Sequence, residues 1–158
     1  MNMENKFELT DNFIINAFGV KLFQIKCTKS FKYAKEGDLG GYVEKDENLD
    51  QESDAWVSGD AWVYGDAQVS GNAQVYGDAE IDNNNKHCGF DCFGSANRHT
   101  HAYLTKENKV EITCGCFHGS IEEFEKRVEE IHSGTIYEKQ YKAIIDVIKI
   151  KFGLTDLI

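Results

Sequence analysis

The chain contains no proline, so its reversals fall to Gly, Asn and Asp rather than to a residue with fixed φ. No apolar run approaches the roughly 18 residues of a membrane span, and the amino terminus lacks a basic-then-apolar leader pattern. Neither a membrane protein nor an exported one is expected, and the cytoplasm is the expected location. Positive charge is in short supply: 17 Lys and Arg stand against 27 Asp and Glu, a formal net charge of −10. That balance disfavours non-specific attraction to nucleic acid or to an anionic membrane surface, while a local basic pocket for a small anion stays compatible with it. The five cysteines are an odd number, and in a reducing compartment they are expected as free thiols or ligands rather than as a disulfide framework. The catalytic signatures of fixed spacing are missing as well, with no Gly-x-Ser-x-Gly elbow, Walker loop or dinucleotide fingerprint. What remains is 158 residues of ordinary globular composition, 41% hydrophobic and 28% charged, enough for one compact unit or two small ones.

What the chain does have is a six-residue repeat. It runs Asp54-Ala-Trp-Val-Ser-Gly59, Asp60-Ala-Trp-Val-Tyr-Gly65, Asp66-Ala-Gln-Val-Ser-Gly71, Asn72-Ala-Gln-Val-Tyr-Gly77, Asp78-Ala-Glu-Ile-Asp-Asn83. Val57, Val63, Val69, Val75 and Ile81 hold the same register, each preceded two places earlier by Ala. Six residues do not fit a whole number of 3.6-residue turns, so a helix would not keep this face. Six do fit one short strand and one tight corner. Three such sides close an 18-residue coil that sets Val57 over Val75 and Val63 over Ile81. The fold class read from this pattern is mainly β with C-terminal helices, built around a short parallel β-helix. Looser repeats upstream (Asp38 to Val43 and Glu44 to Leu49) extend it. So short a solenoid needs covering at both ends. Trp56, Trp62, Tyr64 and Tyr76 flank the inward positions and are expected to point outward, either into an interface or beneath the C-terminal helices.

Three segments follow. Residues 1–35 read as a β-hairpin cap, with Phe13-Ile14-Ile15 and Lys21 to Cys27 around the turn at Asn16 to Gly19, and with Phe23, Ile25 and Cys27 on one face. Residues 36–83 are the repeat. Residues 84–158 read as an α+β segment: strands at Ala102–Leu104 and Val110–Cys114, then two amphipathic helices. Ser120-Ile-Glu-Glu123 and Thr135-Ile-Tyr-Glu138 are capping boxes, and Ile121, Phe124, Val128 and Ile131 form the first apolar stripe. Tyr137, Tyr141, Ile144, Ile145, Ile148 and Phe152 form the second.

The reactive side chains concentrate between His87 and His118. Cys88, Cys92, Cys114, Cys116 and His118 admit a zinc reading, although the spacing is only loosely finger-like and a buried strand face explains Cys114 and Cys116 without metal. No cofactor is expected. Ser95, Asn97, Arg98, His99, Thr100, His101 and Tyr103 crowd into a polar stretch suited to an anion, with Arg98 beside hydroxyls and glycine amides. Trp56, Trp62 and Tyr64 are added as stacking surfaces. A solvated loop is the alternative account of the stretch. Strand alternation would send His99, His101 and Tyr103 one way and Arg98 and Thr100 the other.

Gly37-Asp-Leu-Gly-Gly-Tyr-Val-Glu44, the Asp-Ala-Trp-Val-Ser-Gly repeats, Cys114-Gly-Cys-Phe117, Glu122-Glu-Phe124 and the tyrosine-bearing last helix together resemble a group of small phage and prophage proteins with hexapeptide repeats. The resemblance covers nearly the whole chain and implies a left-handed coil and a phage origin, hence the cytoplasm of an infected bacterial host. It does not itself imply an activity. The function expected is non-enzymatic binding of a small anionic, nucleotide-like ligand, as in sequestering an immune signal. A hexapeptide-transferase-like or nucleotide-hydrolysing enzyme is one alternative, and a structural or host-protein-binding inhibitor is the other. Association into a trimer or dimer is expected, with no nucleic-acid or membrane partner.

Overall fold

The computed structural model describes residues 5–154; residues 1–4 of the first segment and 155–158 of the last lie outside the described residues. The chain divides into two units, Met1–Asn85 and Lys86–Ile158, so the segments 1–35 and 36–83 share the first.

In the first unit, β1 (Phe7–Ile15) and β2 (Lys21–Cys27) pair antiparallel. Asn16 shapes the turn between them, its Oδ1 accepting the N–H groups of Phe18 at 2.9 Å and Val20 at 3.0 Å in the way that makes Asn a turn residue. The simple alternation expected in β2 is broken. Leu22, Ile25 and Cys27 are the fully buried residues, because a register irregularity lies between Gln24 and Lys26 where β2 meets β3 (Leu39–Val43). One residue of slip exchanges the faces of a strand.

The repeats supply strands of two residues each: β4 (Trp56–Val57), β5 (Trp62–Val63), β6 (Gln74–Val75) and β7 (Glu80–Ile81). Val57 lies opposite Val75 and Val63 opposite Ile81, both in parallel, and a single bridge joins Leu49 to Val69. The expected architecture is nonetheless corrected. The chain is mixed α/β, about 37% strand and 23% helix, in three separate sheets with two C-terminal helices, and not a mainly β protein built on a solenoid. The reason is that β5 and β7 do not stand apart as a coil. They extend the antiparallel hairpin through β3, giving one mixed sheet in the order β1-β2-β3-β5-β7, while β4 and β6 form a sheet of their own.

The period-six positions do make this unit's core. Val57, Val63, Val69, Val75 and Ile81 are at most 1% exposed, as are the Ala residues two places before them. Asn48 is buried among them, donating to the carbonyls of Ala67 (2.9 Å) and Gly65 (3.3 Å) and accepting the Lys45 N–H at 3.0 Å, so its polar atoms are satisfied. Of the four aromatics expected to point outward, Trp56 and Tyr64 are buried, Trp62 is half-buried and Tyr76 is exposed. Trp56 meets the Phe31 ring edge-on at 5.3 Å, and the Tyr64 hydroxyl donates to Glu80 at 2.7 Å.

In the second unit β8 (His87–Phe93), β9 (Arg98–Leu104), β10 (Val110–Cys114) and β11 (Phe117–Ser120) form an antiparallel sheet in the order β11-β10-β9-β8. Two helices follow, α1 (Ile121–His132) and α2 (Ile136–Lys151). Ser120 caps α1 in a closed capping box: its Oγ accepts the Glu123 N–H at 3.1 Å and the Glu123 carboxylate accepts the Ser120 N–H at 3.2 Å. At α2 only half of the expected box forms, because the Glu138 carboxylate accepts the N–H of Gly134 instead of Thr135. Ile121, Phe124 and Val128 of α1 and Tyr141, Ile144, Ile145 and Ile148 of α2 pack on Ala102, Val110, Ile112 and Cys114. The helices thus cover one face of the sheet. Among the described residues no helix is long and apolar enough to cross a membrane.

Candidate functional site

Period-two alternation sends Arg98, Thr100 and Ala102 of β9 toward the helices and His99, His101 and Tyr103 to the opposite face. Arg98 opens the strand, and the two connections at this end of the sheet are shaped around it. The β10–β11 link is the two-residue turn Gly115-Cys116, with Cys114 paired to Phe117. A Cβ on Gly115 would stand 1.9 Å from Nη1 of Arg98, so the guanidinium group lies directly on the turn. In the β8–β9 link, Gly94 donates its N–H to Gln140 Oε1 at 2.9 Å, and the Tyr141 hydroxyl fills the space a Cβ would need, 2.0 Å away. That link is therefore held on α2 by two consecutive side chains.

Between these connections and α1 lies a cavity of about 250 Å³. Ser95, Arg98, Cys116, Arg127, His132 and Tyr141 supply its polar lining, and Phe117, Phe124, Val128 and Ile131 most of its apolar wall. Phe124, Arg127, Val128 and Ile131 are spaced i, i+3, i+4, i+7, so Arg127, itself exposed, stands on the cavity side of α1. Its guanidinium carbon is 5.5 Å from the centre of the Phe117 ring, within cation–π range. Phe117, Phe124 and Tyr141 continue as an aromatic wall, with centroids 5.1 and 5.5 Å apart.

Arg98 and Arg127 are the only arginines in the sequence, and both line this one cavity. No Asp or Glu lines it, and among the described residues neither arginine is in an ion pair. Within a chain of net charge −10 this is a local concentration of permanent positive charge. Behind it, Thr100 Oγ1 donates to Cys114 Sγ at 3.3 Å, and that sulfur is 3.8 Å from the Tyr141 hydroxyl. Burial, followed by the neighbouring Cys114, pushes the Tyr141 phenol well above its ordinary range, so Tyr141 presents a neutral O–H donor.

The opposite face of the sheet carries a second constellation. Asp91 Oδ1 is 2.6 Å from His99 Nδ1, His99 Nε2 is 3.0 Å from His101 Nδ1, and His101 Nε2 is 2.9 Å from His87 Nδ1. Burial pulls His87 down to about 4 and His101 well below 6.5, so both rings are neutral at pH 7. Beside them Glu111 Oε2 accepts from Tyr103 at 3.3 Å and pairs with His118 Nε2 at 2.6 Å.

Of the residues predicted to bind an anion, the structure brings Ser95 and Arg98 together in the cavity. Thr100 sits behind it, buried. Asn97 is an exposed turn residue at φ +50°, and His99, His101 and Tyr103 belong to the opposite face. Trp56, Trp62 and Tyr64 lie in the first unit. The proposed zinc ligands do not converge: Cys88 and Cys114 pack on the helix side, Cys92 and Cys116 are exposed, and His118 is held by Glu111. No group of three or more His, Cys, Asp and Glu side chains among the described residues is placed to hold a metal ion. The sequence reading passed over Arg127, His132, Phe117, Phe124 and Tyr141 as site residues. For Arg127 a signal existed, a lone cation at a stripe position. Compared with known proteins, the chain matches no family model and no curated protein is similar to it.

Proposed function

We propose that this chain binds a small anionic ligand in the Arg98–Arg127 cavity, engaging its charge with the two guanidinium groups and its apolar or planar part with Phe117 and Phe124. The observation that carries the reading is the convergence of the only two arginines on one cavity that no carboxylate lines. Guanidinium groups left without an internal partner are disposed to take carboxylate or phosphate, often through two parallel hydrogen bonds. Ser95 and the neutral Tyr141 add donors. The volume, about 250 Å³, falls below the roughly 300–1,000 Å³ of drug-sized pockets. It therefore suits a mononucleotide-sized anion or smaller, in keeping with a nucleotide-type signal. Binding without turnover is favoured over catalysis. Among the described residues, no hydrogen bond joins the side chain of Ser95, Cys116 or His132 to a second group that would activate it.

The test is calorimetric titration of the full chain with inorganic phosphate and nucleoside monophosphates, beside Arg98→Gln and Arg127→Gln. Each substitution removes a charge-assisted contact worth about 1.5–3 kcal/mol, or about 10- to 100-fold in Kd. Equal affinity in both variants would refute the assignment. Ligand recovered chemically altered after heat release would refute binding without turnover.

A further inference from the structure

His132 is the only histidine in the lining of the arginine cavity. The two guanidinium groups there are permanent cations. Cys116 and Tyr141 are acids, able to add only negative charge. Histidine is the side chain that gains or loses a positive charge between about pH 5 and 8, so His132 alone can add a cation to this lining. It is the last residue of α1, spaced i, i+4, i+8 with Phe124 and Val128, and it stands half-buried on the helix face that forms the apolar wall. Its ring lies against two tyrosines of α2, with centroids 5.5 Å from Tyr141 and 5.9 Å from Tyr137.

We propose, resting on the reading of this cavity as an anion site, that the anion is bound together with one proton and that His132 carries it. The proton comes from the solvent. It forms one N–H bond on the imidazole and breaks none in the ligand, and the cations of the lining rise from two to three. Bound anion and bound proton then support each other, and by linkage each raises the affinity for the other by the same factor.

The surroundings of the ring divide into groups that oppose its charge and groups that favour it. Arg98 from β9 and Arg127 from α1 oppose it, and no carboxylate in the lining offsets them. The last turn of α1 favours it, because carbonyls gather at a helix C-terminus, and so do the adjoining aromatic faces. The carboxylates on the flanking helices are engaged elsewhere. Glu129 of α1 and Glu138 of α2 both pair with Lys142, at 3.9 and 3.6 Å, and Glu138 also accepts the Gly134 N–H. An anion seated between the arginines removes the opposing charge and adds an attracting one. The proton is therefore taken up as the anion binds. With His132 half-buried, the coupling belongs at the low end of the usual range, about 5- to 20-fold in affinity.

Inorganic sulfate is the probe, because its own charge is constant across the histidine range. Calorimetric titration of the full chain in two cationic buffers of different ionisation enthalpy counts the protons taken up per anion bound. The parent chain should take up a fraction of a proton at neutral pH, and its Kd should tighten about 5- to 20-fold from about pH 8.5 to 5.5. His132→Gln should show no uptake, whatever its affinity. Heats independent of buffer in the parent, or the same uptake in His132→Gln, would overturn the proposal. Should that variant bind too weakly to titrate, NMR of the parent follows the His132 ring across pH with and without sulfate. Its midpoint should rise with sulfate, and an unmoved midpoint counts against the proposal. Arg98→Gln and Arg127→Gln at about pH 8.5, above the histidine range, separate the two readings. Sulfate affinity equal to the parent's there would remove the anion site itself, whereas weakened affinity with no proton uptake in the parent would remove only the role of His132.

Discussion

Gly115→Ala should weaken anion binding far more than it weakens the fold. Gly115 has φ +58° and Gly134 has φ +79°, so alanine at either position carries the cost of a left-handed conformation, about 1–2 kcal/mol. At Gly134 a Cβ meets nothing within 4 Å, whereas at Gly115 it stands 1.9 Å from Arg98 Nη1 and 3.0 Å from Arg98 Cδ and Cζ. All three atoms belong to a long, flexible side chain, so the collision is relieved by swinging the guanidinium away and not by moving backbone. The two alanine variants should then lose similar stability, a Tm drop of about 4–8 °C per kcal/mol for a unit of this size. They should differ in binding. With Arg98 displaced, Gly115→Ala should lose about 10- to 100-fold in affinity for a phosphate-bearing probe, as does Arg98→Gln, while Gly134→Ala should bind as the parent does. Thermal melts paired with titration calorimetry measure both quantities. Unchanged affinity in Gly115→Ala would refute the placement of Arg98 as a ligand-binding group. A stability loss well beyond that of Gly134→Ala would refute the argument that a side chain alone gives way.

Ile112→Ala removes a fully buried side chain between sheet and helices and should cost about 2–5 kcal/mol, read as a shifted urea midpoint. Ser120→Ala removes the Oγ acceptor of the Glu123 N–H and should cost about 1 kcal/mol, seen in the same assay. Acid should destabilise the chain in a defined window. His87 is held down to about 4 by burial, whereas the unfolded ring takes up its proton near pH 6.5. Between those values the unfolded state binds more protons, so stability falls as pH drops from about 6.5 to 4, by at most about 3 kcal/mol from this ring. Urea midpoints at pH 7 and 4.5 measure the loss, and His87→Phe should reduce it.

The six-residue register was legible because every sixth residue is aliphatic and every one of those side chains is buried. The sheets those residues join were not. A strand of two residues has no pattern of its own from which to read partners, and the union of β5 with β3 is decided by contacts distant in sequence. The slip in β2 was hidden for a related reason, since a bulge changes phase without changing composition. Both helices were legible from caps and stripes together. Within the site, Ser95 and Arg98 announced themselves in a polar stretch, whereas Arg127 was lost among the charged residues of α1. Its position between Phe124 and Ile131 distinguishes it. Arg127 is exposed on α1 beside the cavity, with its guanidinium over the Phe117 ring.

A single strand serves both the cavity and the histidine cluster, which makes its register the feature they share. Arg98 faces the cavity while His99 and His101 face the histidine cluster because odd and even positions of β9 diverge, and β9 is pinned on both sides. Thr100 lies opposite Cys114 in β10 and Phe90 in β8, and Ala102 opposite Ile112 and Cys88. A slip of one residue would bury an arginine-length side chain where the imidazoles meet and would point His99 at the helices. The small, fully buried Ala102 and the buried Thr100 oppose that slip, since the core beneath α1 and α2 has no room for His101 or Tyr103 in their places. Stability of the helix-side packing and the imidazole contacts on the far face are thereby tied together, and substitutions at Ala102 should disturb the imidazole tautomers although the residue touches none of them.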